Sequence, residues 1–329
     1  MQMNLVEVNG LRLSFQTERG QLNLFTSLNL TLGEREILGI VGESGSGKST
    51  LAYAVVRLLP GNAAILGGDI KFEGKSLLSL KESEMAKVRG KMITMVFQDP
   101  GTSLNPVFRV GQQMLRVIKN NIGLEGENAR RHAVQLLKEV ELADTEHVMD
   151  SFPFELSGGM QQRVMLAIAL SSNPRLIIAD EPTSAVDATI QMQILRLLRK
   201  MKAEREFSMI LITHSIAVAQ DISDRIAVMY AGDIVEEGEA QSVVSSPKHP
   251  YTQALVKCIP QPRKPEEQKL PLPVVGGQVP DLTTPPTGCR FYPRCPYVMD
   301  VCKKERPANY RVDGANVLCF LYRGGNERR

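Results

Sequence analysis

Gly42-Glu43-Ser44-Gly45-Ser46-Gly47-Lys48-Ser49-Thr50 is the stretch on which the reading of this chain turns. It fits G-x-x-x-x-G-K-[ST], in which glycines let backbone N–H groups turn inward around an anion. Lys48 suits the outer phosphates of a nucleotide, and the Ser49 hydroxyl suits a magnesium ion. The flanks agree. Ile37 to Val41 reads as a short buried strand, and Leu51, Ala52, Val55 and Val56 follow at helical spacing. Phosphate would then sit at a helix N-terminus, where unpaired amides and the helix dipole favour negative charge. A Gly/Ser-rich turn between a strand and a helix would share this spacing, so the rest of the chain decides.

Working outward, buried-strand patterns recur at Met92–Phe97, Leu176–Ala179, Met209–Thr213 and Ile226–Tyr230, with helical patterns between them. The clearest helix is Asp187–Lys202. It puts Ile190, Ile194, Leu197, Leu198 and Met201 on one face and Arg196, Arg199 and Lys200 on the other, with Asp187 as N-cap. This alternation predicts an α/β fold with a largely parallel sheet and helices on both faces. Met1 to Leu13 alternates like a strand and predicts an N-terminal β portion. Residues from about Asn105 to Asn173 offer helical runs at Arg130–Val140 and Met160–Leu170 and no buried strand, which predicts a helical insertion.

Composition bounds the reading. The chain has 329 residues, enough for two domains or one large domain with an appendage, and its 43% hydrophobic content is ordinary for a globular protein. A net charge of +3 makes no case for a nucleic-acid partner. No apolar run approaches the roughly 18–20 residues that span a bilayer, and no signal peptide opens the sequence. The expected location is the cytoplasm, with any membrane role exercised through a separate membrane subunit. From Pro260 to Gly288 the chain is rich in Pro and Gly, which predicts a linker or an irregular wrapped segment. Cysteines stand at 258, 289, 295, 302 and 319. In a reducing compartment the last four suit a metal site better than a disulfide framework.

Leu176-Ile177-Ile178-Ala179-Asp180-Glu181 is an apolar run ending in two acids. Read alone, the pair is a solvated turn. Behind a phosphate-binding loop it reads as Walker B, with Asp180 holding Mg²⁺ and Glu181 activating water as a general base. Leu156-Ser157-Gly158-Gly159-Met160-Gln161-Gln162-Arg163 places a serine and two glycines at the start of an apolar-periodic helix, a second anion-binding N-terminus. With this segment the chain resembles the ATPase subunit of the ABC transporter family, whose signature is Leu-Ser-Gly-Gly-Gln; Met160 replaces the usual Gln. The resemblance implies a P-loop NTPase of the ABC cassette type and covers roughly residues 4 to 257. It implies that Gln98 is the Q-loop glutamine sensing Mg²⁺ and the membrane partner, that Ser184-Ala185-Val186-Asp187 is the D-loop, and that His214 is the switch histidine. Phe15 is the candidate for stacking on adenine. ATP and Mg²⁺ are the implied ligands. Since the signature of one subunit completes the site of another, the family implies a dimer with two ATPs at its interface.

Phe97-Gln98-Asp99-Pro100-Gly101-Thr102-Ser103-Leu104-Asn105-Pro106, Tyr230-Ala231-Gly232-Asp233 and His249-Pro250-Tyr251-Thr252 resemble the oligopeptide/dipeptide and nickel importer branch of that family. So does Gly288-Cys289-Arg290-Phe291-Tyr292-Pro293-Arg294-Cys295-Pro296. The implied organisation is an ATPase domain over 1–257, with its helical insertion at about 105–173, and an irregular Cys-rich extension over 258–329. Cys289, Cys295, Cys302 and Cys319, spaced C-x5-C-x6-C-x16-C, are expected to bind a 4Fe-4S cluster; zinc and unmetallated thiols are the alternatives. Cys258 reads as an ordinary thiol. The resemblance further implies a second ABC ATPase as partner in a heterodimer, two transmembrane permeases and an extracytoplasmic solute-binding protein. The assembly would lie at the cytoplasmic face of the inner membrane and import peptides, with nickel or another small solute as the other cargo.

Overall fold

A computed structural model describes residues 4–183, 187–259 and 274–324. The chain folds as two compact units. One holds Asn4–Leu32, Ile37–Leu78 and Thr213–Arg329; the other holds Gly33–Glu36 and Ser79–Ile212. In the first unit, β1 (Asn4–Thr17) and β2 (Gly20–Gly33) precede β3 (Ile37–Val41), which runs into α1 (Lys48–Val55). Then come β4 (Ala63–Phe72) and β5 (Lys75–Ser76). A four-stranded sheet has the order β2-β1-β4-β5. Its centre is an antiparallel pair of β1 and β4, with Val6 opposite Phe72 and Phe15 opposite Ala63.

The second unit contains α2 (Glu82–Val88), β6 (Ile93–Val96) and α3 (Pro100–Ser103). Four helices follow: α4 (Val110–Ile122), α5 (Gly126–Glu139), α6 (Thr145–Asp150) and α7 (Gly158–Leu170). The unit ends with β7 (Leu176–Asp180), α8 (Ala188–Arg205) and β8 (Ser208–Thr213). Strands β6, β7 and β8 are parallel neighbours. β7 is buried at all five positions, which is why it reads as an unbroken apolar run rather than an alternating one. α4 packs on α5 and α6, and α5 packs on α7. The strands expected at Leu176–Ala179 and Met209–Thr213 and the helix capped by Asp187 are all present to within a few residues.

The chain then returns to the first unit through α9 (Ile216–Ile222), β9 (Arg225–Tyr230), β10 (Asp233–Glu239), α10 (Ala240–Ser245) and α11 (Pro250–Lys257). The tail adds α12 (Asp300–Lys304), β11 (Tyr310–Val312) and β12 (Ala315–Val317). β3 pairs with β9 in parallel, but β10 is antiparallel to both β9 and β12, and β11 is antiparallel to β12. The architecture is therefore mixed rather than largely parallel. The reversal between β9 and β10 is made by Ala231 and Gly232, both at positive φ (48° and 85°), the backbone of a tight two-residue hairpin. Gly232 is obligatory, because a Cβ there would overlap the Leu24 carbonyl oxygen.

The expected 4Fe-4S cluster on Cys289, Cys295, Cys302 and Cys319 is not supported. Among the described residues no group of three or more His, Cys, Asp or Glu side chains is placed to hold a metal ion. All five cysteines are free thiols. Burial pushes the Cys289 thiol up to about 12 and Cys319 up to about 11, and burial raises Cys295 too. Cys319 packs instead against the buried cluster of Val312, Ala315 and Val317, the role of a small hydrophobe. The spacing alone could not separate these outcomes.

Candidate functional site

In the first unit the phosphate-binding loop joins β3 to α1. β3 is buried throughout and delivers the chain to Gly42, where any Cβ would overlap the Met229 carbonyl oxygen. Gly45 and Gly47 take positive φ (77° and 107°), so the loop reverses without side-chain strain. At Gly47, the N-cap of α1, a Cβ would also meet the Phe25 ring at 2.8 Å. The Lys48 ammonium is folded over the loop and donates to the carbonyl oxygens of Gly42 (2.8 Å) and Glu43 (3.0 Å). Ser44 and Gly45 form the exposed tip, and Ser49 and Thr50 are half-buried in the first turn of α1.

Two observations show that this cradle suits an anion. No side chain caps the N-terminus of α1, so its first amides face the loop. The Ser46 hydroxyl is buried, at 2% exposure for the residue, and its Oγ has no hydrogen-bond partner. An orphaned buried donor at a helix start is explained by a ligand that accepts from it.

In the second unit the acids expected at the end of β7 are in place. Asp180 is the last residue of the strand and is buried at 2% exposure. Glu181 follows at φ 46°, a left-handed conformation that costs a non-glycine residue of order 1 kcal/mol. Its amide still donates to the Ile212 carbonyl at 3.0 Å, so the β7·β8 ladder holds the main chain while the turn swings the carboxylate out of the strand. Gln98, two residues past β6, donates from Nε2 to Glu181 Oε2 at 3.1 Å. The sequence-expected Gln98 and Glu181 are thus brought together across an 83-residue separation.

α7 starts where the signature was read. Ser157 is its N-cap, and its Oγ accepts from the Met160 amide at 3.3 Å. Gln161 ties the approach by donating to the carbonyls of Pro153 and Leu156 (2.8 and 3.1 Å). Ser157 and Gly158 are exposed, whereas Gly159 lets α7 approach α8, since a Cβ there would meet Ile190 Cγ2 at 2.9 Å. Asp187 caps α8 by accepting from the amides of Thr189 and Ile190. The D-loop residues Ser184, Ala185 and Val186 lie outside the described residues. In the first unit, His214 is exposed just past β8, and Phe15 is half-buried on β1.

Sequence reading missed the groups that brace the loop from behind. The Glu43 amide donates to Tyr251 Oη at 2.9 Å, and the Glu43 carboxylate pairs with Arg294 at 2.8 Å. Burial pushes the Tyr251 phenol up, so it stays neutral. Tyr251 is the second residue of α11, whose N-cap is His249; Nδ1 of that imidazole accepts from the Tyr251 amide at 3.0 Å. Complete burial lowers His249 to about 3, so the acceptor nitrogen is unprotonated. The His-Pro-Tyr segment was noted in the sequence, but nothing in its spacing tied it to the loop.

Family models match at residues 25–184 (ABC transporter) and 235–302 (oligopeptide/dipeptide transporter, C-terminal region). The oligopeptide transport ATP-binding protein OppD of Salmonella typhimurium is 43% identical over 316 residues, covering 96% of this chain and 93% of that protein. OppD of Bacillus subtilis is 44% identical over 315 residues, covering 95% and 87%. Among solved structures, a dimeric ATP-binding cassette in a post-hydrolysis state with ADP and phosphate superposes with a TM-score of 0.64 at 29% identity, covering 71% of this chain and 98% of that one. The chain belongs to the ABC transporter ATP-binding family, in its oligopeptide/dipeptide transporter branch. It is an ATPase of the cassette type.

Proposed function

We propose that this chain is the ATP-hydrolysing subunit of an importer that takes up di- and oligopeptides across the cytoplasmic membrane. The observation that carries the reading is the phosphate-binding loop with its orphaned Ser46 hydroxyl and uncapped helix start. The relatives, named for oligopeptide transport, supply the cargo class. Residues 1–257 form the ATPase domain, with residues 105–173 as its helical insertion, and 258–329 form the branch-specific extension.

The roles follow from the side chains. Amides of Ser44, Gly45 and Gly47 to Thr50, the Ser46 hydroxyl and Lys48 bind the phosphates, the Glu43 amide being held by Tyr251 and the Ser46 amide by the Glu43 carbonyl, and Phe15 stacks on the base. Ser49 on the first unit, and Gln98 and Asp180 on the second, carry oxygens of the kind that suit Mg²⁺. When bound, that ion neutralises charge on the transferring phosphoryl group. Glu181 accepts the proton of the attacking water. Gln98 orients that carboxylate through the 3.1 Å hydrogen bond, and His214, exposed on the first unit, is the switch histidine that the resemblance implies. Ser157, Gly158, Gly159 and Asp187 serve the nucleotide of a second subunit, which the exposure of Ser157 and Gly158 supports. That second subunit is a related ATPase, so the pair is a heterodimer.

Two permeases and an extracytoplasmic binding protein complete the assembly, with this chain peripheral on the cytoplasmic face. Among the described residues no helix is long and apolar enough to cross a membrane. The helical segment of the second unit carries a surface suited to a permease. Val107 and Phe154 are each 70% exposed and Phe108 is 44% exposed. They are gathered by the Arg109 guanidinium over the Phe152 ring (5.0 Å) and the stacking of Phe152 on Phe154 (5.5 Å).

The test is uptake in cells lacking the gene, with labelled dipeptide, longer peptide and Ni²⁺ measured in parallel. Wild type should restore peptide uptake and Glu181→Gln should not. Restoration by Glu181→Gln, or a loss confined to Ni²⁺, would reject the reading.

A further inference from the structure

The C-terminal extension touches the phosphate-binding loop through one side chain. Arg294 sits at the end of the single 3-10 turn Tyr292–Arg294. Its side chain is only 3% exposed, and its two terminal nitrogens donate to the two carboxylate oxygens of Glu43 at 2.8 and 3.2 Å. The rest of the guanidinium rim is also used: Nε donates to the Gly276 carbonyl and Nη2 to the Val275 carbonyl, at 2.6 and 2.8 Å. Its flat face lies 5.8 Å from the centre of the Tyr230 ring. This is a bidentate, largely desolvated fork, the geometry in which an ion pair has consequences, unlike a solvated surface pair.

The partner makes the contact informative. Glu43 is the second residue of a loop built to receive an anion, and its carbonyl accepts both Lys48 Nζ and the Ser46 amide (3.0 and 3.2 Å). A carboxylate beside bound phosphates is a like charge that weakens binding unless it is neutralised. Arg294 is the group that does so. Docking of the extension does not need it. Arg290 alone donates to the carbonyls of Leu24, Asn23 and Ala231. The Phe291 ring packs edge-on against Tyr230 at 5.0 Å and against Tyr251 at 5.5 Å. The fork on Glu43 is therefore an addition to an extension already anchored.

We propose that Arg294 is the charge-compensating, positioning residue of the phosphate-binding loop, supplied by the C-terminal extension. By cancelling the Glu43 carboxylate it lets the loop take an anionic nucleotide at full affinity only while the extension is docked. Any event that lifts the extension would lower nucleotide affinity without touching the loop itself. The proposal rests on the nucleotide-binding reading of the loop given above.

Its test uses the full chain and equilibrium ATP binding at low and high salt. Arg294→Met leaves the carboxylate uncompensated and should raise the ATP Kd about tenfold, ~1.4 kcal/mol. Adding Glu43→Gln removes the offending charge and should bring the double variant back to within about threefold of wild type. A residue that only held the fold together would not be rescued by deleting its partner. The Arg294→Met defect should also shrink as salt rises, because it is a repulsion between partly exposed charges. Glu43→Gln alone should bind ATP more tightly than wild type, by roughly threefold, and it reads the proposal by itself if Arg294→Met fails to fold. Wild-type affinity in Arg294→Met, a double variant as weak as the single, or no gain in Glu43→Gln would overturn the proposal. A wild-type chain that bound no ATP would instead overturn the nucleotide reading on which it stands.

Discussion

Glu181 combines two properties that rarely meet by accident: a positive φ of 46° and a carboxylate held by Gln98. The left-handed backbone is a strain of order 1 kcal/mol, sustained because the Glu181 amide stays in the β7·β8 ladder. Such strain at a strand end aims a side chain that the pleat would otherwise alternate away. Glu181→Gln should therefore keep the backbone and lose the base. ATPase turnover is expected to fall at least 10²-fold while ATP binding stays within a few-fold of wild type, read by phosphate release alongside equilibrium binding. Equal losses of binding and turnover would place Glu181 in ground-state binding instead. Gly42 gives the complementary case. Gly42→Ala would drive a methyl into the Met229 carbonyl, so it should abolish nucleotide binding and lower the melting temperature together.

At the scale of elements, α11 shows how a buried polar network steadies a loop. Glu236, buried on β10, accepts from the amides of Lys248 and His249, and His249 in turn caps the helix that bears Tyr251. Burial moves the two titratable groups in opposite senses: His249 falls to about 3 and Glu236 rises. Below about pH 6.5 the unfolded chain protonates His249 while the native chain refuses the proton until near pH 3, so this group's contribution drains away as pH falls through that window. Glu236 acts in the reverse sense: the native chain keeps a proton that the unfolded chain releases above about pH 4.5, so its contribution weakens as pH rises. His249→Asn retains a capping oxygen and does not titrate. Between pH 7 and pH 5, wild type should lose about 2 kcal/mol more stability than His249→Asn, measured by denaturant unfolding at each pH. Parallel losses in the two proteins would mean that His249 is charged in the native state.

For the molecule as a whole, nucleotide should be a folding ligand. ATP at about a hundredfold excess over Kd stabilises a binding-competent fold by about 2.7 kcal/mol, a rise of several degrees in melting temperature. Lys48→Ala should abolish that rise while leaving the nucleotide-free melting temperature close to its original value. Its Nζ donates to the loop carbonyls of Gly42 and Glu43. A retained shift in Lys48→Ala would mean that ATP stabilises the chain from a site other than this loop.

The sequence by itself determined what depends on near neighbours. The glycines of residues 42–47, the apolar run of β7 with its terminal acids, and the caps Ser157 and Asp187 all act within a few residues of themselves. Backbone sterics and local hydrogen bonds therefore wrote them into the chain in readable form. Helical spacing marked α8, and unbroken apolar runs marked β3 and β8, because those strands are buried on both faces. Tertiary structure alone decided the antiparallel edge of β10 to β12, whose short strands carry little periodicity. It also decided that the tail cysteines pack as free thiols, since thiol spacing is compatible with metal and with core alike. It alone brought Tyr251 and Arg294 to Glu43, across separations of 208 and 251 residues. No local preference encodes such pairs: they form only once burial of the surrounding core has met the entropic cost of closing so long a loop.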